Sequence, residues 1–259
     1  MENLFDLSGK VAIVTGTSRG LGQYFGRALA QAGADLVITS RDKSRLVEFQ
    51  EEIEALGRKA LPIQLDVLKA DEIDNMVRTT IAEYGKIDIL VNNAGLNIRR
   101  PAGEFTWKDW DTVLNTNLKG AFFVAQAVGR EMIERRSGRI INIGSCTCVF
   151  GMEGIGAYCA SRGGILQLSR SLAAEWGRHG VTVNVLAPGW FQTAQNQALY
   201  ENKPWVEYIT DRIPLGRPGK PSDLDGTVIF LASDASAYVT GQIILVDGGF
   251  TTGATKAIV

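Results

Sequence analysis

The sequence predicts an α/β protein: one doubly wound domain whose seven-stranded parallel sheet carries helices on both faces. Two observations lead there. Short runs rich in β-branched residues alternate with segments of helical periodicity along nearly the whole chain. Glycines mark the turns between them, and no Pro/Gly/Ser-rich linker interrupts the order. Parallel strands joined through helices need right-handed crossovers, which lay helices on both faces of the sheet. Length alone would allow two domains in 259 residues, but the unbroken alternation argues for a single domain over 1–259.

The first run, Val11 to Thr15, is apolar, β-branched and flanked by glycine, as expected of a strand buried on both faces. Leu21, Phe25, Ala28, Leu29 and Ala32 then recur at helical spacing, with Gly33 as a C-terminal cap. The unit repeats with a strand at Leu36 to Thr39, a charged helix from Lys43 to Leu56 ended by Gly57, and a strand at Ala60 to Leu65. A helix from Ala70 to Tyr84 leads to the strand Ile87 to Val91. A long helical region from Thr106 to Arg135, expected to break near Leu114 to Asn117, leads to the strand Arg139 to Ile143. A helix from near Tyr158 to Trp176 precedes the strand Val181 to Leu186. Over 190–217 the order is lost, and prolines among aromatic clusters predict irregular short helices forming a substrate lid. Ser222 and Asp223 start a last helix, and Gln242 to Val246 reads as the final strand.

With 45% hydrophobic and 21% charged residues, the composition is that of a globular protein. A formal net charge of −1 offers no footprint for nucleic acid or an anionic membrane, so neither is expected as a partner. No apolar run approaches the roughly 20 residues of a membrane span, and MENLFDLSGK lacks a signal-peptide pattern, so a cytoplasmic protein is expected. Cys146, Cys148 and Cys159 leave one thiol unpaired under any pairing, which argues against a disulfide framework. His179 is the single histidine, and no metal site is expected.

Between the first strand and its helix lies Thr15 to Gly22, TGTSRGLG. Glycines there let the backbone turn sharply and approach a pyrophosphate, which then sits at the positive end of the helix. The spacing is G-x-x-x-G-x-G. The second strand ends in Thr39-Ser40-Arg41, with no acidic residue to take ribose hydroxyls. Arg41, Arg19 and Ser40 suit a 2′-phosphate, which predicts NADP(H) over NAD(H). These arginines would also serve as solvated surface residues.

A second concentration of chemistry is Gly144 to Gly164, GSCTCVFGMEGIGAYCASRGG. Residues four apart on a helix share a face, so Tyr158 and Arg162 would place a cation beside a phenol. An unperturbed tyrosine has a pKa of about 10, too high for acid–base work near neutrality unless a positive charge favours its ionised form. The same residues also suit an ordinary buried tyrosine beside a surface arginine.

Taken in order, TGTSRGLG, Asp66-Val67, NNAG at Asn92 to Gly95, Asn117 in NTNLKG, Ser145, Tyr158 and Pro188-Gly189 resemble the short-chain dehydrogenase/reductase family over nearly the whole chain. The resemblance implies a Rossmann-type fold and hydride transfer between a nicotinamide dinucleotide and a carbonyl carbon. It implies that Gly16, Ser18, Arg19, Gly20 and Leu21 hold the pyrophosphate and adenosine side, and that Asp66 and Val67 hold the adenine. Asn92, Asn93, Ala94 and Gly95 would line the adenosine-side ribose, and Pro188, Gly189 and Thr193 would orient the nicotinamide. Tyr158 would be the general acid for reduction, Ser145 would bond the substrate oxygen, and Asn117 would hold a relay water. One position departs: the family's Tyr-x-x-x-Lys is here Tyr158-Cys159-Ala160-Ser161-Arg162. The lysine supplies charge, binds the nicotinamide ribose and passes a proton. Arginine keeps the charge and is effectively never deprotonated, so weakened turnover is expected.

The loop after NNAG carries Arg99 and Arg100, suited to gripping a carboxylate, with Arg99 the first choice. This loop, AAEWGRHG at Ala173 to Gly180 and PGWFQTAQNQAL at Pro188 to Leu199 are similar to the gluconate 5-dehydrogenase and deoxygluconate dehydrogenase branch. A sugar acid or related polyol is the expected substrate, with Trp190, Phe191, Trp205 and Tyr208 as an apolar wall over it or as packing residues. Two rivals remain. A 3-oxoacyl carrier-protein reductase would want a basic docking patch that the near-neutral charge does not advertise. A catalytically impaired NADP-binding sensor or scaffold would rest on Arg162. The family's last strand commonly meets a partner subunit, so the resemblance also implies a homotetramer.

Overall fold

The computed structural model describes residues 3–193 and 196–253. Residues 194 and 195 of the expected lid, and 1–2 and 254–259 of the expected domain, lie outside the described residues. Among the described residues, seven parallel strands form one sheet in the order β3-β2-β1-β4-β5-β6-β7. They are β1 (Val11–Val14), β2 (Asp35–Ser40), β3 (Ala60–Gln64), β4 (Ile89–Asn92), β5 (Gly138–Ile143), β6 (Val181–Pro188) and β7 (Ile243–Val246). The chain winds outward from β1 to β3, then returns to β4 on the other side of β1. That reversal opens a crevice at the carboxyl ends of β1 and β4, where ligands of such sheets bind.

Strand alternation sends the two faces of each strand into different cores. Ala12 and Val14 pack with Phe25, Leu29 and Phe49 on the face covered by α1 (Leu21–Gln31), α2 (Val47–Ala55) and, later in the chain, the helix Asp225–Ala232. Val11 and Ile13 pack with Met76, Val128 and Trp176 under α3 (Ala70–Tyr84) and two further helices, Ala121–Glu134 and Gly156–Trp176. β7 lies at the sheet edge, and all four of its residues are only partly buried.

The expected break near Leu114 to Asn117 is a widening instead. Helix α4 (Trp107–Leu114), capped reciprocally by Thr106 and Asp109, runs through a π-helical turn (Asn115–Gly120) into α5 (Ala121–Glu134). Helix α6 (Gly156–Trp176) starts two residues before Tyr158. The strand expected from Ile87 starts at Ile89, and just before it the Asp88 carboxylate takes the Val11 N–H at 2.9 Å. The segment expected as a lid holds α7 (Gln197–Tyr200) and α8 (Lys203–Asp211), and a bridge pairs Phe191 with Gly219. Helix α9 (Asp225–Ala232) follows a 3₁₀ turn at Pro221–Leu224.

Candidate active site

The β1–α1 turn is a cradle of backbone. Gly16 has φ +72°, and a side chain there would meet the Ala94 Cα at 3.0 Å. Gly20, at φ +70°, begins α1 with no side-chain cap, so the helix's first N–H groups are left for a ligand. Thr15 Oγ1 accepts from the N–H groups of Asn93 (2.9 Å) and Ala94 (3.0 Å). The Asn93 amide in turn donates to the carbonyls of Thr15 (2.9 Å) and Gly16 (3.2 Å). The Asn93 side chain therefore staples two loops together. This cradle fits a dinucleotide pyrophosphate.

At the adenosine end, Arg19 and Arg41 are exposed and make no ion pair among the described residues, while Ser18 is half-buried. Ser40 is buried and accepts from the Asp42 N–H at 3.2 Å. Asp42, the nearest carboxylate along the chain, is turned to the Ser44 N–H (3.0 Å) and hydroxyl (2.6 Å). Asp66 accepts from the Leu68 N–H at 3.0 Å, and Val67 packs against Gly120.

At the other end of the crevice stand Ser145, Tyr158 and Arg162. Ser145 follows β5, is buried, and accepts from the Thr147 N–H at 3.2 Å. Tyr158, in the first turn of α6, is half-buried. Arg162 is only 6% exposed, and its Cζ lies 4.9 Å from the Tyr158 ring centroid. The alternative of a surface arginine is thus set aside, since this one is buried. Its Nη1 donates to the Ile143 carbonyl at 2.7 Å, while Nε has no partner among the described residues. A Cβ at position 95 would stand 2.6 Å from Nη2, so Gly95 makes room for the guanidinium.

Asn117 is fully buried in the π-helical turn. Its Oδ1 accepts from the Leu96 N–H (2.8 Å), and its Nδ2 donates to the Leu96 carbonyl (2.8 Å) and to Ser161 Oγ (3.1 Å). Ser161 Oγ donates to the Tyr158 carbonyl at 2.7 Å. Both amide hydrogens of Asn117 are therefore spent on positioning the loop after Gly95 and the start of α6. Asn92 is likewise internal, donating to the Ala121 carbonyl (2.7 Å) and Asn142 (3.2 Å).

Pro188 ends β6 opposite Val246, and the Gly189 N–H donates to the Val246 carbonyl at 2.9 Å. Thr193 is fixed by Asn196 Oδ1, which takes its N–H at 2.7 Å. Of the two loop arginines, Arg100 pairs with Asp109 at 2.9 Å, whereas Arg99 is exposed and unpaired among the described residues. Trp190 stands edge-on to Trp205 (5.3 Å) and Phe250 (5.8 Å). Burial pushes the Cys146 thiol up to about 12 and raises that of Cys148, whose Sγ donates to the Arg162 carbonyl at 3.1 Å. Both therefore act as packing groups. Sequence reasoning missed Ser161, Leu96 and Ile143, which act through backbone carbonyls or loop contacts. Of these only Ser161, three residues past Tyr158, had a local signal.

Residues 16–251 match the family described as Enoyl-(Acyl carrier protein) reductase. The chain is 42% identical over 249 residues to gluconate 5-dehydrogenase of Gluconobacter oxydans (strain 621H), covering 96% of this chain and 97% of the relative. It is 45% identical over 247 residues to 2-dehydro-3-deoxy-D-gluconate 5-dehydrogenase of Escherichia coli (strain K12), covering 95% and 97%. A solved gluconate 5-dehydrogenase from Burkholderia cenocepacia J2315, in complex with NADP and tartrate, superposes with a TM-score of 0.94 at 39% identity, covering 97% of this chain and 98% of that one. The glycine cradle, the serine and tyrosine at the carboxyl edge of the sheet and this near-complete similarity agree: the chain belongs to the short-chain dehydrogenase/reductase family of oxidoreductases.

Proposed function

We propose that the protein is an NADP(H)-dependent oxidoreductase that interconverts a carbonyl and a secondary alcohol on a sugar acid. The observation that carries this reading is the burial of Arg162 against Tyr158, beside Gly95 and the strand that delivers Ser145. The nicotinamide supplies or accepts the hydride at the substrate carbon. The β1–α1 cradle would hold its pyrophosphate, and Pro188, Gly189 and Thr193 its nicotinamide end. Ser145 Oγ bonds the substrate oxygen. Tyr158 gives that oxygen its proton in reduction and takes it in oxidation. Arg162 opposes the negative charge left on the tyrosine and does not itself release a proton. Arg19 and Arg41, with Asp42 tied to Ser44, support NADP(H) over NAD(H). Arg99, exposed and unpaired among the described residues, suits the substrate carboxylate.

The test is reduced-nicotinamide absorbance with 5-keto-D-gluconate and other keto acids, NADPH against NADH. NADPH-dependent turnover supports the reading, and turnover confined to simple ketones, or tighter NADH binding, overturns its substrate or cofactor part. A second reading, a cofactor-binding protein without turnover, rests on the anchoring of Arg162. It is favoured if both wild type and Arg162→Lys bind NADPH and neither reacts.

Self-association as a homotetramer is proposed as well. It is supported by the partly exposed β7 and by Trp107 (87% exposed), Trp110 and Phe123 on α4 and α5. Sedimentation of a monomer would reject it. Three free cysteines support a cytoplasmic setting. Among the described residues no helix is long and apolar enough to cross a membrane.

A further inference from the structure

Five aromatic rings form a file across the carboxyl end of the sheet, with three of the four contacts edge to face and the Phe150–Phe250 contact tilted. Phe150 meets Phe250 at 5.2 Å, Phe250 meets Trp190 at 5.8 Å, Trp190 meets Trp205 at 5.3 Å, and Trp205 meets Tyr200 at 5.3 Å. Phe150 comes from the loop that begins at Ser145, Trp190 from the end of β6, Phe250 from the turn after β7, and the other two from the lid helices. The file therefore joins the loop that carries a proposed substrate-binding serine to the segment expected to cover the substrate.

Phenylalanine or leucine would serve such a file if packing were its whole purpose. Two members instead carry a hydrogen-bond donor. Trp190 Nε1 and Tyr200 Oη are both buried and have no partner among the described residues. Buried donors are nearly always paired, and an exception calls for an explanation in terms of a ligand or water. Burial pushes the Tyr200 phenol up to about 12, so it stays a neutral donor across the working pH range. An indole N–H can only donate, so its partner must be an oxygen that accepts.

We propose that Trp190 Nε1 and Tyr200 Oη form a specificity subsite that reads the hydroxyl-bearing end of the substrate, with the aromatic file as its wall. This rests on the sugar-acid reading above and extends it. Ser145 and Tyr158 take the reacting oxygen, Arg99 the carboxylate, and the two orphan donors the remaining hydroxyls. A ligand hydroxyl accepts from the indole N–H and both accepts from and donates to the phenol, while the C–H faces of a polyol lie against aromatic rings. Loss of a designed hydroxyl contact is what separates a polyol from its deoxy analogue.

The experiment uses Trp190→Phe and Tyr200→Phe, each keeping a ring and losing the donor, with 5-keto-D-gluconate and 5-oxohexanoate, a keto acid of the same length without hydroxyls. Because neither donor has a partner among the described residues, Tyr200→Phe is expected to melt no lower than wild type, and Trp190→Phe, which also loses ring contact with Trp205 and Phe250, only slightly lower. The KM for 5-keto-D-gluconate should rise by about 10-fold or more in each variant, the loss of one hydrogen bond to substrate. The KM values for NADPH and 5-oxohexanoate should stay unchanged. Unchanged KM for 5-keto-D-gluconate in both variants, or an equal rise for both substrates, overturns the subsite and leaves the sugar-acid reading standing. A wild-type enzyme that reduces no polyhydroxy keto acid overturns that reading, and the subsite falls with it.

Discussion

The Arg162 guanidinium lies over the face of the Tyr158 ring, 4.9 Å from its centroid, while its Nη1 is held at 2.7 Å by the Ile143 carbonyl. The cation proposed to serve the tyrosine is therefore fixed from beneath by the strand that delivers Ser145. A guanidinium so anchored supplies charge to the site and no dissociable proton.

Gly95 is the residue this arrangement depends on. A Gly95→Ala side chain would lie 2.6 Å from Arg162 Nη2. It should lower kcat by about 10-fold or more, since small misplacements of catalytic groups are costly. In Arg162→Lys, which lacks Nη2, the same substitution should cost less. A double-mutant cycle on kcat measures that coupling, and strict additivity would count against it.

Cofactor choice should reside in Arg19 and Arg41. Arg41→Asp is expected to raise the KM for NADPH by about 10- to 100-fold, the scale of a charge-assisted phosphate contact, and to improve the use of NADH. Steady-state kinetics with both cofactors check this.

Arg99→Ala should raise the KM for a keto acid by about 10-fold and leave that for an uncharged ketone unchanged, as loss of uniform carboxylate binding would. Arg100→Ala should leave substrate KM unaltered, because Arg100 already pairs with Asp109.

Asp88 links three elements: it accepts from the Val11 N–H and pairs with Lys86 (3.0 Å) and Arg135 (3.2 Å). Burial pushes its carboxyl upward, but the Val11 N–H, Lys86 and Arg135 outweigh burial and hold it below the usual carboxylate value of 3.8. A folded pKa below the unfolded one contributes stability that is present above the unfolded value and lost as pH falls through the folded one. Asp88→Asn should therefore destabilise the protein by about 1–3 kcal/mol at neutral pH, with the difference from wild type shrinking below about pH 4. Denaturant titration at pH 7 and in acid reads this directly.

How far these features could be read from sequence varies with how local they are. The strands were legible because burial on both faces forces continuous β-branched runs such as VAIV and LVIT. The cradle was legible because a pyrophosphate turn needs glycine at set places. The π-helical turn was not, since NTNLKG is polar and its shape goes with the bonds of Asn117 to Leu96 and Ser161, both distant in sequence. For the same reason the clamping of the loop after Gly95 by the Asn117 side chain was not legible. Arg162 could be placed beside Tyr158 from helical spacing, but its burial depends on β5 and Gly95. The aromatic file was seen only in part, because Phe150 and Phe250 are brought together by the sheet across 100 residues.

The central claim is that Tyr158 is the proton donor and that Arg162 supports it. Its most direct test is kcat for NADPH-dependent reduction of 5-keto-D-gluconate by wild type, Tyr158→Phe and Arg162→Lys. Wild type should turn over, Tyr158→Phe should lose about 10²- to 10⁴-fold, the usual worth of a general acid, and Arg162→Lys should retain or exceed wild-type turnover. Equal turnover by wild type and Tyr158→Phe would contradict the claim.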